Sequence, residues 1–289
     1  MALVKKKVGS MSPKKSLKKK DKEEAAPTEL TLPTSLSVPM AELGDYSWLL
    51  FGVKKIGKTN LSAEFPAAFH MMTEPGGKAM AIHQRPVSNW RDFRTYVKLL
   101  QTDKKFKTQV VDTADLLYDY CTDYVCRKMG IEHPSDEAYG KGWKAVRSEF
   151  TREISKLMNN GKGTIFISHS KEMEIKQRKG GSYHSIQPTL GGQARDILEG
   201  IVDIFAYFDY DGNQRVLTVR GDETVAAGSR LRNHFLWNGR EVPSINMGRN
   251  AAEGYANLVK CFNNEYPWTP PVDDAEDKPV VKKKLKVKR

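Results

Sequence analysis

The chain of 289 residues is 39% hydrophobic and 28% charged, proportions that fit a globular protein with one sizeable α/β domain and appendages. No apolar run approaches the length that crosses a bilayer, and the Lys-rich start lacks the apolar core of a secretory leader, so a soluble, non-secreted chain with no membrane partner is expected. The formal charge of +12 is uneven: residues 1–28 hold nine Lys against three acids and residues 271–289 seven Lys or Arg against four, which leaves +3 for the middle.

In chain order, residues 1–40 read as a disordered Lys-rich tail, able to bind phosphate backbones without sequence preference or simply to solubilise. Residues 41–268 read as one α/β domain. Its expected strands are 47–51, 68–72, 109–111, 164–168, 201–208 and 214–220, and its expected helices are 58–64, 88–100, 114–129, 141–160, 194–199 and 251–262. This alternation is the signature of a mainly parallel sheet flanked by helices. Asp211-Gly212 centres a tight turn, so the last two strands should form an antiparallel hairpin at the sheet edge. Residues 134–142 and 176–192 read as loops, and 269–289 as a second disordered basic tail. The three cysteines, Cys121, Cys126 and Cys261, lack C-x-x-C spacing and read as free thiols of a reducing compartment.

The chemistry centres on Gly52-Val53-Lys54-Lys55-Ile56-Gly57-Lys58-Thr59, which satisfies G-x-x-x-x-G-K-[ST], follows the apolar run Trp48-Leu49-Leu50-Phe51 and precedes a helix containing Asn60 and Leu61. In such a P-loop the glycines turn backbone N–H groups toward phosphates, Lys58 meets the β and γ phosphates, and the Thr59 hydroxyl ligates Mg²⁺. The expected ligands are therefore a nucleoside triphosphate and Mg²⁺. A carboxylate should complete the metal site, and Gln109-Val110-Val111-Asp112 offers Asp112 at a strand end. An N-cap role for Asp112 or for Thr113 is the alternative. Glu74 ends another apolar run before Pro75-Gly76 and is either the acid that activates the attacking water or a solvated turn residue. His169, after Ile165-Phe166-Ile167-Ser168, falls where α/β proteins place ligands and could sense the γ-phosphate. The segment from Lys171 through Lys176, Arg178 and Lys179 to Tyr183 and His184 reads as a mobile basic loop suited to single-stranded nucleic acid, or as plain solvated surface. Trp143 with Lys141 and Lys144 is a second candidate of that kind.

This order of elements resembles the RecA and RadA recombinases, on the strength of Gly52 to Thr59, Glu74, Val110-Val111-Asp112-Thr113 and His169. Within that superfamily it resembles phage-encoded RecA-like ATPases of the Sak-type single-strand annealing group. Phe51-Gly52, Tyr139-Gly140-Lys141-Gly142-Trp143 and Phe166-Ile167-Ser168-His169-Ser170-Lys171-Glu172 carry that match, over roughly residues 46–232. The resemblance implies ATP as the nucleotide, Glu74 as the water-activating acid, Asp112 as the Mg²⁺ carboxylate and His169 as sensor. It also implies DNA-facing loops after Asp112 and His169, and a ring or filament of like subunits in which Arg230 or Arg232 enters a neighbour's site. Single-stranded DNA, and a single-strand binding protein or other replication proteins, are the implied partners, in the cytoplasm of a host cell. No separate DNA-binding domain is recognisable, so the implied activity is annealing or recombination mediation instead of full strand exchange. A helicase or helicase loader, a small-molecule kinase and a nucleotide-binding switch or replisome scaffold remain as alternatives.

Overall fold

The computed structural model describes residues 32–177 and 180–269, so the two tail readings fall largely outside the described residues. Of a first unit, Met1–Pro39, residues 32–39 are described and all are exposed. The second unit, Met40–Arg289, carries the fold. Its strands are β1 (Ser47–Gly52), β2 (Ala68–Met72), β3 (His83–Pro86), β4 (Thr108–Asp112), β5 (Gly163–Lys176), β6 (Ser182–Pro188), β7 (Ile204–Asp211), β8 (Gln214–Thr218), β9 (Gly228–Ser229), β10 (Leu236–Trp237), β11 (Arg240–Glu241) and β12 (Ser244–Asn246). The helices are α1 (Lys58–Ala63), α2 (Trp90–Thr102), α3 (Ala114–Met129), α4 (Lys141–Met158), α5 (Gly192–Ile201) and α6 (Ala251–Phe262).

The main sheet runs β12-β8-β7-β1-β5-β4-β2-β3. Strands β7, β1, β5, β4, β2 and β3 are mutually parallel, while β8, β12 and β9 add antiparallel pairs beyond them. This mostly parallel sheet flanked by helices, with a strand-loop-helix turn after β1, is the α/β arrangement expected from the sequence. The β7–β8 hairpin closes through Gly212-Asn213, with Gly212 at φ 57 supplying the left-handed residue. The three-residue β12 lies outside β8, so the hairpin is covered at the edge.

Parallel strands are buried on both faces, and β1 is buried at all six positions. Leu49, Met71, Val111 and Phe166 face a core closed by Phe93 and Val97 of α2, Leu117 of α3, Phe150 of α4 and Ile197 of α5. Trp48, Leu50, Val110, Ile165 and Ile167 face the opposite core, closed by Leu61 of α1 and by Leu258 and Phe262 of α6. Helix α2 starts at Trp90 because the Asn89 side chain accepts from the N–H groups of Arg91 and Asp92. Trp90 Nε1 donates to Glu149 and Arg94 pairs with Glu153, so α2 and α4 run the same way. Tyr118 packs on Phe150 and Cys121 on Val146, so α3 and α4 run oppositely.

Two expectations change. Residue 201 ends α5, and the strand expected from it begins at Ile204. The basic segment after His169 is no loop: β5 runs on to Lys176 and pairs antiparallel with β6, from Ser170↔Pro188 to Lys176↔Ser182. The reason is a period-two pattern masked by charge. Met173 and Ile175 share one face with Tyr183 and Ser185, and Gly180 and Gly181, at φ 90 and 92, accommodate the reversal.

Buried His70 on β2 meets the Ser62 hydroxyl of α1 at 3.0 Å, and burial lowers its pKa from 6.5 to about 4. Between those values the unfolded chain binds a proton that the folded chain does not, so stability falls as pH falls. Thermal unfolding is expected to lose about 3 kcal/mol between about pH 7 and pH 4 from this group. His70→Gln should flatten that acid limb; an unchanged limb would remove His70 as its source.

Candidate nucleotide-binding site

The sheet's carboxyl edge gathers the predicted residues. Gly52 ends β1 between His169 of β5 and Phe208 of β7, where a Cβ would lie 2.0 Å from the Phe208 carbonyl oxygen. Only glycine lets the three strands close there. The loop then turns through Val53, Lys54, Lys55 and Ile56 to Gly57, whose φ of 111 strains any other residue. Ile56 is buried, anchoring the loop against Leu61 and its neighbours. Helix α1 begins without a side-chain cap, so no side chain occupies its first-turn N–H groups. Lys58 is only 6% exposed and donates to the carbonyls of Gly52 and Val53, both at 2.8 Å. Burial lowers its pKa to about 8, against the opposing charges of Asp112, Asp115 and Glu74.

The Thr59 hydroxyl donates to Asp112 Oδ2 at 2.6 Å, which brings together the two groups a Mg²⁺ ion would need. Burial raises the Asp112 pKa, and the Thr59 hydrogen bond works against that rise. Thr113 occupies the N-cap position of α3 but makes no cap bond; its hydroxyl donates instead to Glu74 Oε1 at 2.9 Å. Neither Asp112 nor Thr113 thus spends its side chain on capping. Thr73 clasps Thr113 twice, donating to its carbonyl at 2.9 Å and accepting its N–H at 2.6 Å. His169 Nε2 lies 3.3 Å from the same Glu74 oxygen. These residues suit a triphosphate and a hard cation: a loop open at Gly57, an ammonium, and a hydroxyl beside a carboxylate.

Asp115 belongs to the same cluster and escaped the sequence reading. Its Oδ1 accepts from the hydroxyls of Ser168 at 3.1 Å and Thr189, while Oδ2 is buried without a partner. Its signal was its place three residues beyond Asp112, on the first turn of the helix. Thr189 in turn donates its N–H to the His169 carbonyl at 2.9 Å, joining the end of β6 to β5 beside the P-loop.

The remaining candidates lie elsewhere. Lys171 and Lys176 are exposed on the β5–β6 ribbon, interleaved with Glu172 and Glu174, and Glu172 pairs with His184 at 3.2 Å. Arg178 and Lys179 lie outside the described residues. Trp143 is half-buried, its indole donating to Ser135 and its ring meeting His133 edge-on, so it is tied down instead of presenting an open face. Lys141 and Lys144 beside it are exposed. Arg230 donates to the Gly200 carbonyl and, through its N–H, to Asp203 at the start of β7. That is the sheet end opposite the P-loop of the same chain; Arg232 is exposed nearby. On the other side of the loop, a cleft of about 280 Å³ runs from Lys55, Gly57 and Asn60 to Phe208, Arg215 and Met247. Arg215 Nε is buried there without a partner, and its guanidinium lies 5.9 Å from the Tyr210 ring.

Because Lys58 is charged below about pH 8 and neutral above it, affinity for a triphosphate is expected to stay level up to about pH 7. Above pH 8 it should weaken toward about tenfold per pH unit. Titration of a fluorescent ATP analogue measures this, and a level profile at high pH would assign the phosphate contact to another group. Lys58→Ala should abolish the binding.

A family model described as AAA domain matches residues 45–231, more than half of the chain. No curated protein matches. Among solved structures, the chain is similar to the RadB recombinase at 14% identity and a TM-score of 0.37, over 61% of this chain and 80% of that one. It is similar also to the KaiC-like protein PH0186 of Pyrococcus horikoshii OT3, at 15% identity and a TM-score of 0.41, over 70% and 85%. No helix among the described residues is long and apolar enough to cross a membrane. With a P-loop seated on a buried strand and a carboxylate, an acid and a histidine at neighbouring strand ends, the chain belongs to the AAA domain family and is an ATPase.

Proposed function

We propose that this chain hydrolyses ATP with Mg²⁺ under the control of single-stranded DNA, and promotes annealing or recombination in phage DNA metabolism as an assembly of like subunits. The observation that carries the reading is the placement of Glu74. Both of its hydrogen bonds, from Thr113 and with His169, fall on Oε1, which leaves Oε2 to orient and deprotonate a water. Bound Mg·ATP supplies the γ-phosphoryl group that this water attacks. Thr59 and Asp112 would hold the ion, Lys58 would turn from the loop carbonyls to the phosphates, and His169 would carry the state of the γ-phosphate along β5 to the ribbon bearing Lys171 and Lys176. The resemblance to RecA-like annealing proteins supports the choice of partner, and Arg230 and Arg232 are proposed to act on a neighbouring subunit.

The cleft beyond the loop is proposed to seat the nucleoside, with the Arg215 guanidinium against the base. Arg215→Ala is expected to raise KM for ATP about tenfold while changing kcat little. A fall in kcat with unaltered KM would move the base elsewhere.

ATP turnover with and without single-stranded DNA tests the main reading. Turnover should rise with DNA, vanish in Lys58→Ala, and fall about 100-fold or more in Glu74→Gln with nucleotide binding retained. Turnover indifferent to DNA would favour a nucleotide switch or kinase, and strand displacement would favour a helicase.

A further inference from the structure

We propose that a single strand of nucleic acid lies in the groove between the start of α2 and the outer stripe of α3, and that Tyr120 reports its presence to Glu74. The proposal rests on the single-strand-dependent ATPase reading above and gives it a surface the sequence did not indicate. The groove, of about 590 Å³, is lined by Asn89 and Arg91 on one wall and by Tyr120, Tyr124, Arg127 and Lys128 on the other.

The α3 residues recur at helical spacing, so two tyrosines and then two cations follow one another along a stripe about 12 Å long. An aromatic face beside cations is what a stacked, phosphate-bearing strand requires, and Tyr120 is the one to offer it, since the Tyr124 ring already has the Arg94 guanidinium 5.7 Å from its centroid and its hydroxyl accepts from Arg94. Arg91, Arg127 and Lys128 make no ion pair among the described residues, and one carboxylate, Asp123, shares the groove. The cations of the last turn of α3 suit the carbonyl end of that helix in any case. Arg91 does not: it stands in the first turn of α2, where the helix end repels a cation, so an anion in the groove accounts for it better than the fold does. The β5–β6 ribbon, by contrast, alternates its lysines with Glu172 and Glu174.

The groove also touches the reaction centre. The Tyr120 hydroxyl donates to the Thr73 carbonyl at 3.3 Å, and Thr73 clasps Thr113, whose hydroxyl holds Glu74. A base stacked on Tyr120 therefore acts on the residue pair that aims the water-activating acid.

Fluorescence anisotropy with labelled oligo-dT tests this in the full chain. Arg91→Glu, with the thermal midpoint kept, and separately the pair Arg127→Glu and Lys128→Glu should each weaken binding about tenfold or more and lessen its salt dependence. Tyr120→Phe should keep oligonucleotide binding and lose the DNA stimulation of ATP turnover. Wild-type binding that both charge reversals leave intact overturns the groove alone, and stimulation surviving in Tyr120→Phe overturns the coupling. A wild-type chain that binds no oligonucleotide overturns the single-strand reading and the groove together.

Discussion

The constraint on which the molecule depends is that its central strands are covered on both faces. With β1 buried along its whole length between β5 and β7, no polar side chain can be placed in mid-strand without losing its water. Polar chemistry is therefore pushed to where the strands end. Gly52, Asp112, Thr73 with Glu74, and His169 all stand at the same edge because each is the first residue, or nearly so, at which its strand escapes the two cores. The site is in this sense a by-product of the sheet, and the register Met72↔Asp112 and Asp112↔Ile167 aligns its members without any loop having to reach across.

Electrostatics then set what that edge can do. Burial lowers the Lys58 pKa to about 8 and raises that of Asp112, and each group is held by a neutral partner: loop carbonyls for Lys58, the Thr59 hydroxyl for Asp112. Charges held in this way respond strongly to a new ion placed between them, because little water is present to screen it. The hydroxyls of Thr73, Thr113 and Thr189 do the positioning, and they do it without adding charge.

Much of this was visible in the sequence, and the failures have physical causes. The P-loop, the strand ending in Asp112 and helices 114–129 and 251–262 coincide with the structure because apolar period and motif agree there. The β5–β6 ribbon was hidden because its strand pattern is written in Lys, Glu and Met, whose hydropathy does not alternate cleanly. Strand β3 was missed because it is four mostly exposed residues ending in proline. Thr73 and Thr189 could not be found by spacing alone, since their roles are contacts between segments distant in sequence; Thr189 lies 74 positions from the Asp115 carboxylate it meets.

Strand β5 is a single uninterrupted element from Gly163, beneath the sheet's core, to Lys176 at the tip of the ribbon, with His169 near its middle. A strand of this length that tilted as a rigid arm would pivot at the P-loop edge. The seven residues from His169 to Lys176 extend about 23 Å, so a tilt of about 5° at the histidine carries the tip about 2 Å. An arm of this kind converts an adjustment the size of one hydrogen bond into a displacement large enough to make or break a contact with a neighbouring molecule.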